Sequence, residues 1–133
     1  MTPLRAGVIG VGHLGQHHAR HYATLPGVTL AGVCDASPDR AKMIAERHGV
    51  QAWTQLADLL KQVDLVSVAA PTSAHFAAAK ACLEAGKHVL VEKPIAVTSA
   101  EARQLVDLAA RHGCLLQVGH SERFNPIMQR MRS

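Results

Sequence analysis

Short apolar runs alternate with segments bearing helix-start and helix-stop residues, six runs in all, and this rhythm constrains the fold more than any single motif. The runs read as strands over Leu4–Ile9, 28–34, 50–53, 65–70, 88–91 and 114–118. A helix follows the first from Gly15 to about Leu25, and Pro26-Gly27 ends it. Ser37 is placed to cap a second helix, Pro38 suits its first turn, and Gly49 suits a left-handed stop. Thr54 is placed to cap a small helix carrying Leu56, Leu59 and Leu60. Pro71-Thr72-Ser73 opens an alanine-rich helix that ends at Gly86, with Thr72 or Ser73 available as its cap. Thr98 and Glu101 have capping-box spacing, and Gly113 closes the helix that follows. Connections of this length join parallel strands through right-handed crossovers. The expected architecture is therefore α/β: a doubly wound parallel sheet of about six strands with helices on both faces. A chain 48% apolar but only 3% aromatic, rich in Ala and Val, suits close packing on such a sheet.

Gly10-Val11-Gly12-His13-Leu14-Gly15 lies between the first strand and the first helix. In that setting each glycine has a physical task. Gly10 takes a tight turn, Gly12 lets a pyrophosphate approach the backbone, and Gly15 lets the helix pack closely. Amides at the helix start, His13 and Leu14 among them, then face the phosphates along the favourable helix dipole. Asp35 closes the second strand twenty positions after Gly15, where a carboxylate can accept bonds from both adenosine ribose hydroxyls. The same charge would repel a 2′-phosphate, so NAD is expected over NADP. Arg40, five residues on, softens that preference.

Other classes find little support. A formal charge of +4, scattered and not interleaved with aromatics, does not suggest a nucleic-acid partner. No apolar run approaches membrane-spanning length. The residues before Gly12 make too short and glycine-rich a run for a secretory leader. Cys34, Cys82 and Cys114 lie far apart without a C-x-x-C, which favours a reducing cytoplasm. His17, His18 and His21 tempt a metal reading, since His17 and His21 are one helical turn apart. With no acidic or cysteine partner nearby in sequence, no metal site is expected.

The stretches GVIGVGHLGQHHARHY, GVCDASPDRA, VAAPTSAHFAAAKACLEAGKHVLVEKPIAVTSAEARQLVDLA and LLQVGHSERFNP together resemble the Gfo/Idh/MocA family of sugar and cyclitol oxidoreductases. The resemblance covers the whole chain and implies a Rossmann nucleotide domain over residues 1–120. Residues 121–133 would begin the junction to a second α/β domain that lies beyond this chain. It makes Lys93 of Glu92-Lys93-Pro94 the catalytic residue, beside the nicotinamide and the reacting carbinol. An ammonium there can stabilise charge on the substrate oxygen as hydride leaves carbon. Glu92 would line the cofactor site, and Pro94 would turn Lys93 toward the cleft. The resemblance further places Ala70, Pro71, Thr72 and His75 against the nicotinamide ribose and adjoining phosphate, and Gly119 near the nicotinamide. His120 and Arg123 would approach substrate. It also implies a sugar-type substrate, a homo-oligomer formed through the second domain, and little turnover by this domain alone. The competing class is a non-catalytic dinucleotide-binding or sensing domain. A lysine beside the nicotinamide argues for the enzyme.

Overall fold

The computed structural model describes residues 3–91, 96 and 98–118. Six strands, β1 (Leu4–Ile9), β2 (Val28–Cys34), β3 (Gln51–Trp53), β4 (Leu65–Val68), β5 (His88–Val91) and β6 (Leu116–Val118), alternate with five helices. The helices are α1 (His13–Thr24), α2 (Pro38–His48), α3 (Leu56–Leu60), α4 (Thr72–Glu84) and α5 (Ser99–His112). All strand pairs are parallel, in the order β3-β2-β1-β4-β5-β6. The order reverses direction between β1 and β4. Open sheets of this kind bind ligands at the carboxyl edge of that switch point.

Side-chain alternation builds two apolar layers. Ala6 and Val8 of β1, Leu65 of β4 and Leu90 of β5 pack with Ala19 and Tyr22 of α1 and Ile44 and Ala45 of α2. Ile9, Val66, Val68, Val89 and Val91 form the other face, with Leu59 of α3, Leu83 of α4 and Leu105 of α5. Each fully buried aliphatic side chain contributes about 1.5–3 kcal/mol. Gly32 is required by close approach: a Cβ there would run into the ring of Trp53 on the neighbouring strand.

Local cap chemistry sets α2 and α5. The Ser37 hydroxyl accepts from the Arg40 amide, Pro38 follows it, and Gly49 closes α2 at φ 66°. The Thr98 hydroxyl accepts from the Glu101 amide, and Gly113 closes α5 at φ 64°. The reciprocal half of that box shows a departure, for Glu101 Oε1 is buried without a hydrogen-bond partner among the described residues.

Three other expectations need correction. Gln55, not Thr54, precedes α3, and no side chain caps it; burial of Leu59 and Leu60 decides where this short helix starts. β4 ends at Val68 rather than residue 70, because the chain turns there over Gly10. β6 begins at Leu116 rather than Cys114. The Leu115 amide donates instead to Nδ1 of His88 at 2.9 Å, so a side chain ties the approach to β6 onto the start of β5.

That bond requires an unprotonated Nδ1. Burial lowers the His88 pKa below its ordinary 6.5, against a smaller opposing pull from the Asp64 charge. His21 and His48 shift in the same direction, chiefly through burial. The unfolded chain therefore binds more protons than the folded one as pH falls. The stabilisation is complete above about pH 6.5 and is lost as pH drops through the folded-state values. Thermal melts should show the midpoint falling from pH 7.5 to pH 5. His88→Asn should melt lower than the parent at pH 7.5 and respond less to acid. An equal acid response in the variant would remove His88 from this account.

Candidate cofactor-binding site

β1 delivers the chain to Gly10, whose φ of 85° suits glycine alone. A Cβ on Gly10 would lie 2.6 Å from the Ala70 nitrogen, so the turn after β1 nests against the turn after β4. The Ala69 amide donates to the Ile9 carbonyl at 2.8 Å and holds the two turns together. A Cβ on Gly15 would collide with the Gly10 carbonyl oxygen, which explains why the first turn of α1 can fold back on the loop. Gly12 differs. A Cβ there meets only Nη1 of Arg40, at 3.7 Å, so the space beside its backbone is open. The three glycines thus serve a turn, an approach and a close packing.

α1 starts one residue after Gly12, earlier than the expected Gly15, and His13 and Leu14 form its first turn. No side chain caps it, and no acidic residue lies in its first turn. α4 starts the same way from Pro71, with no side-chain cap and no acid. Pro71, rather than the expected Thr72 or Ser73, stands at the cap position, and Thr72 is already the first helical residue. Unpartnered amides at a helix start carry partial positive charge and favour an anion. These two starts flank the switch point between β1 and β4.

Asp35 stands just beyond β2 and is only 8% exposed. Its Oδ2 accepts from the Val11 amide and its Oδ1 from the Ser37 amide, each at 2.8 Å. The carboxylate thus latches the glycine turn to the start of α2. In the sequence Asp35 is marked for a ribose, with no sign of its bonds to the Val11 and Ser37 amides. The pairing with Val11 spans 24 positions and has no local signature. Each carboxylate oxygen retains a further lone pair. The Arg40 guanidinium sits 3.7 Å from Oδ2 and is half exposed.

His75 is buried, and its Nε2 meets the Ala70 carbonyl oxygen at 2.6 Å. It pins the turn from within. Gly10, Gly12, Gly15, Asp35, Arg40, Ala70, Pro71 and His75 thus share one end of the sheet. Glu92, Lys93, Pro94, Gly119, His120 and Arg123 lie outside the described residues.

The histidine run is split. His18 turns inward to the core, while His17 and His21 meet edge to face on the outer side of α1, Nε2 to Nε2 at 3.1 Å. Among the described residues no three His, Cys, Asp or Glu side chains gather as metal ligands, and no helix is long and apolar enough to cross a membrane.

The residues present fit a dinucleotide. The open flank of Gly12 admits a phosphate, the uncapped start of α1 favours its charge, and Asp35 keeps acceptor positions beside it. Fold, turn and acid together define a dinucleotide-binding domain of the Rossmann class.

Comparison with known proteins names the family. The model for the oxidoreductase family with the NAD-binding Rossmann fold matches residues 4–120, and the chain belongs to this Gfo/Idh/MocA family. UDP-N-acetylglucosamine 3-dehydrogenase of Acidithiobacillus ferrooxidans is 42% identical over 132 residues, covering 99% of this chain and 42% of that protein. Its crystal structure superposes with a TM-score of 0.87, covering 99% of this chain and 43% of the other. GenD2 from gentamicin A biosynthesis, solved with NAD, is 34% identical with a TM-score of 0.86, over 90% of this chain and 35% of the other. KijD10, a 3-ketoreductase of Actinomadura kijaniata solved with NADP, is 32% identical with a TM-score of 0.82, over 88% of this chain and 38% of the other. The chain thus spans about two fifths of the length of these relatives.

Proposed function

We propose that this chain is the cofactor-binding part of an NAD-dependent oxidoreductase acting on a secondary alcohol of a sugar, sugar nucleotide or cyclitol. The observation that carries the reading is the glycine turn latched to Asp35 beside an uncapped helix start. The α1 amides and the Gly12 backbone would hold the pyrophosphate. The remaining lone pairs of Asp35 would accept the adenosine ribose hydroxyls, and Arg40 would flank that ribose. When bound, NAD supplies the hydride acceptor. Lys93 would donate a hydrogen bond to the substrate oxygen and hold its developing charge. His75 and the turn at Ala70-Pro71 would wall the cleft, and His120 and Arg123 would meet substrate.

The named activities of relatives, a UDP-N-acetylglucosamine 3-dehydrogenase and a 3-ketoreductase, favour position 3 of a nucleotide-linked hexose. A homo-oligomer formed outside this domain belongs to the same reading. So does the cytoplasm: Cys34, Cys82 and Cys114 are free, and burial pushes the Cys82 thiol up to about 12, which keeps it inert.

Calorimetric titration of the chain with NAD and NADP tests the proposal. NAD should bind with the higher affinity. Absence of heat with both nucleotides at millimolar concentration, from folded material, would overturn it; a clear preference for NADP would overturn the assigned cofactor. The competing reading, a sensor without chemistry, is separated by the Lys93 variant considered in the Discussion.

A further inference from the structure

Three polar side chains meet inside the apolar layer under α1. Ser67 of β4, His18 and Tyr22 are each fully buried. Ser67 Oγ lies 3.0 Å from Nδ1 of His18 and 2.6 Å from the Tyr22 hydroxyl. His18 and Tyr22 are successive-turn neighbours on one face of α1, and both converge on a single strand atom. Burial pushes the Tyr22 phenol far up, so it stays protonated and able to donate.

Apolar packing alone holds a helix loosely along its own axis, because dispersion and burial are non-directional. Two hydrogen bonds from successive turns to one atom are directional. Sliding or rotating α1 by an ångström would break at least one of them in a dry interior, where a lost partner is costly. The placement adds to this. Ser67 pairs in register with Val8 of β1, two residues before Gly10, so the cluster sits beneath the switch point between β1 and β4. The start of α1 has no side-chain cap of its own to fix it.

We propose that His18, Ser67 and Tyr22 are positioning residues for the dinucleotide site, setting the seat of α1 so that its first amides face the pyrophosphate. This rests on the dinucleotide reading above and adds the means by which the fold aims the helix. The cluster touches no part of the cofactor. Its effect falls on phosphate recognition and spares the adenosine end, which Asp35 serves from β2.

The test uses Ser67→Ala and Tyr22→Phe in the 133-residue chain. Affinities for NAD and for adenosine, which lacks phosphate, are measured by calorimetry and ligand-observed NMR beside thermal melts. Val66→Ala is the control; it opens space on the same strand but toward the opposite face, among different helices. Both test variants should bind NAD at least about tenfold more weakly while adenosine affinity changes less than about twofold. Val66→Ala should lower the melting temperature and leave NAD affinity within about twofold. Should Ser67→Ala not fold, Tyr22→Phe carries the same expectation, since it keeps the ring and removes only the hydroxyl. Unchanged NAD affinity in the folded test variants overturns the inference while leaving NAD binding intact. Equal losses for adenosine, or an equal loss in Val66→Ala, reduce the cluster to a structural role and also overturn it. A parent chain that binds no NAD overturns the dinucleotide reading itself.

Discussion

Asp35→Ala is expected to weaken NAD binding by roughly a hundredfold or more and to destabilise the free domain as well. The first effect would follow from the bonds proposed to the ribose hydroxyls, each charge-assisted and of about 1.5–3 kcal/mol. The second is set by what Asp35 already holds. Its carboxylate accepts from the Val11 and Ser37 amides, and the alanine leaves both donors without it. An orphaned buried amide costs about 1–3 kcal/mol. Asp35→Asn should fall between, since its single carbonyl oxygen can serve one amide while its NH2 group faces the other. NADP should respond differently. Removing the carboxylate relieves repulsion of the 2′-phosphate and leaves Arg40 to attract it, so the NAD-to-NADP preference should shrink or invert. The loosened glycine turn should nevertheless keep absolute NADP affinity modest. Titrations with both nucleotides, together with urea melts of the free variants, measure all of this. An alanine variant with parental stability would show that the latch to Val11 contributes nothing.

Lys93→Ala is expected to reduce turnover of a form that carries the second domain by about 10²–10³-fold or more, the scale of losing one preorganised donor to a developing oxyanion. NAD affinity should stay within about threefold of the parent, because the proposed pyrophosphate and adenosine contacts fall to β1, α1 and β2. Lys93→Arg keeps the charge but replaces a compact ammonium with a planar fork, and should recover only part of the rate. Steady-state kinetics with UDP-N-acetylglucosamine and NAD, alongside cofactor titration, separate the outcomes. Undiminished turnover would remove Lys93 from the chemistry. Loss of NAD binding in step with turnover would make it a cofactor ligand. A form carrying the second domain that binds NAD yet turns over no sugar, cyclitol or sugar nucleotide would favour the sensor.

The parts of the molecule legible in sequence are those governed by neighbours along the chain. Ser37, Pro38 and Gly49 mark α2 because capping is a matter of three or four residues. The glycine turn is legible because a tight turn, an open flank and a close packing each exclude a side chain. Legibility fails where distant groups decide. Thr54 looks like a cap, but the burial of Leu59 and Leu60 sets the start of α3. His75 reads as a ligand for ribose, and only the folded chain shows that it also bonds the backbone of its own turn. His18 reads as one of three alike, yet a serine 49 positions away turns it inward. Asp35 reads as a nucleotide ligand, and only the folded chain shows that it also fastens the turn it serves.

The sheet order has a consequence for biosynthesis. β1 lies at the centre of the sheet, between β2 and β4. One of its edges is satisfied by the next strand in the chain. The other waits for residues about sixty positions later, roughly 3–12 s at ribosomal elongation rates. Once β2 has been made and until β4 follows, the nascent β1-α1-β2 unit presents an unpaired strand edge and the hydroxyl of Tyr22 without Ser67. A pause in synthesis before residue 65 would lengthen that exposure, whereas a pause well after residue 68 would not.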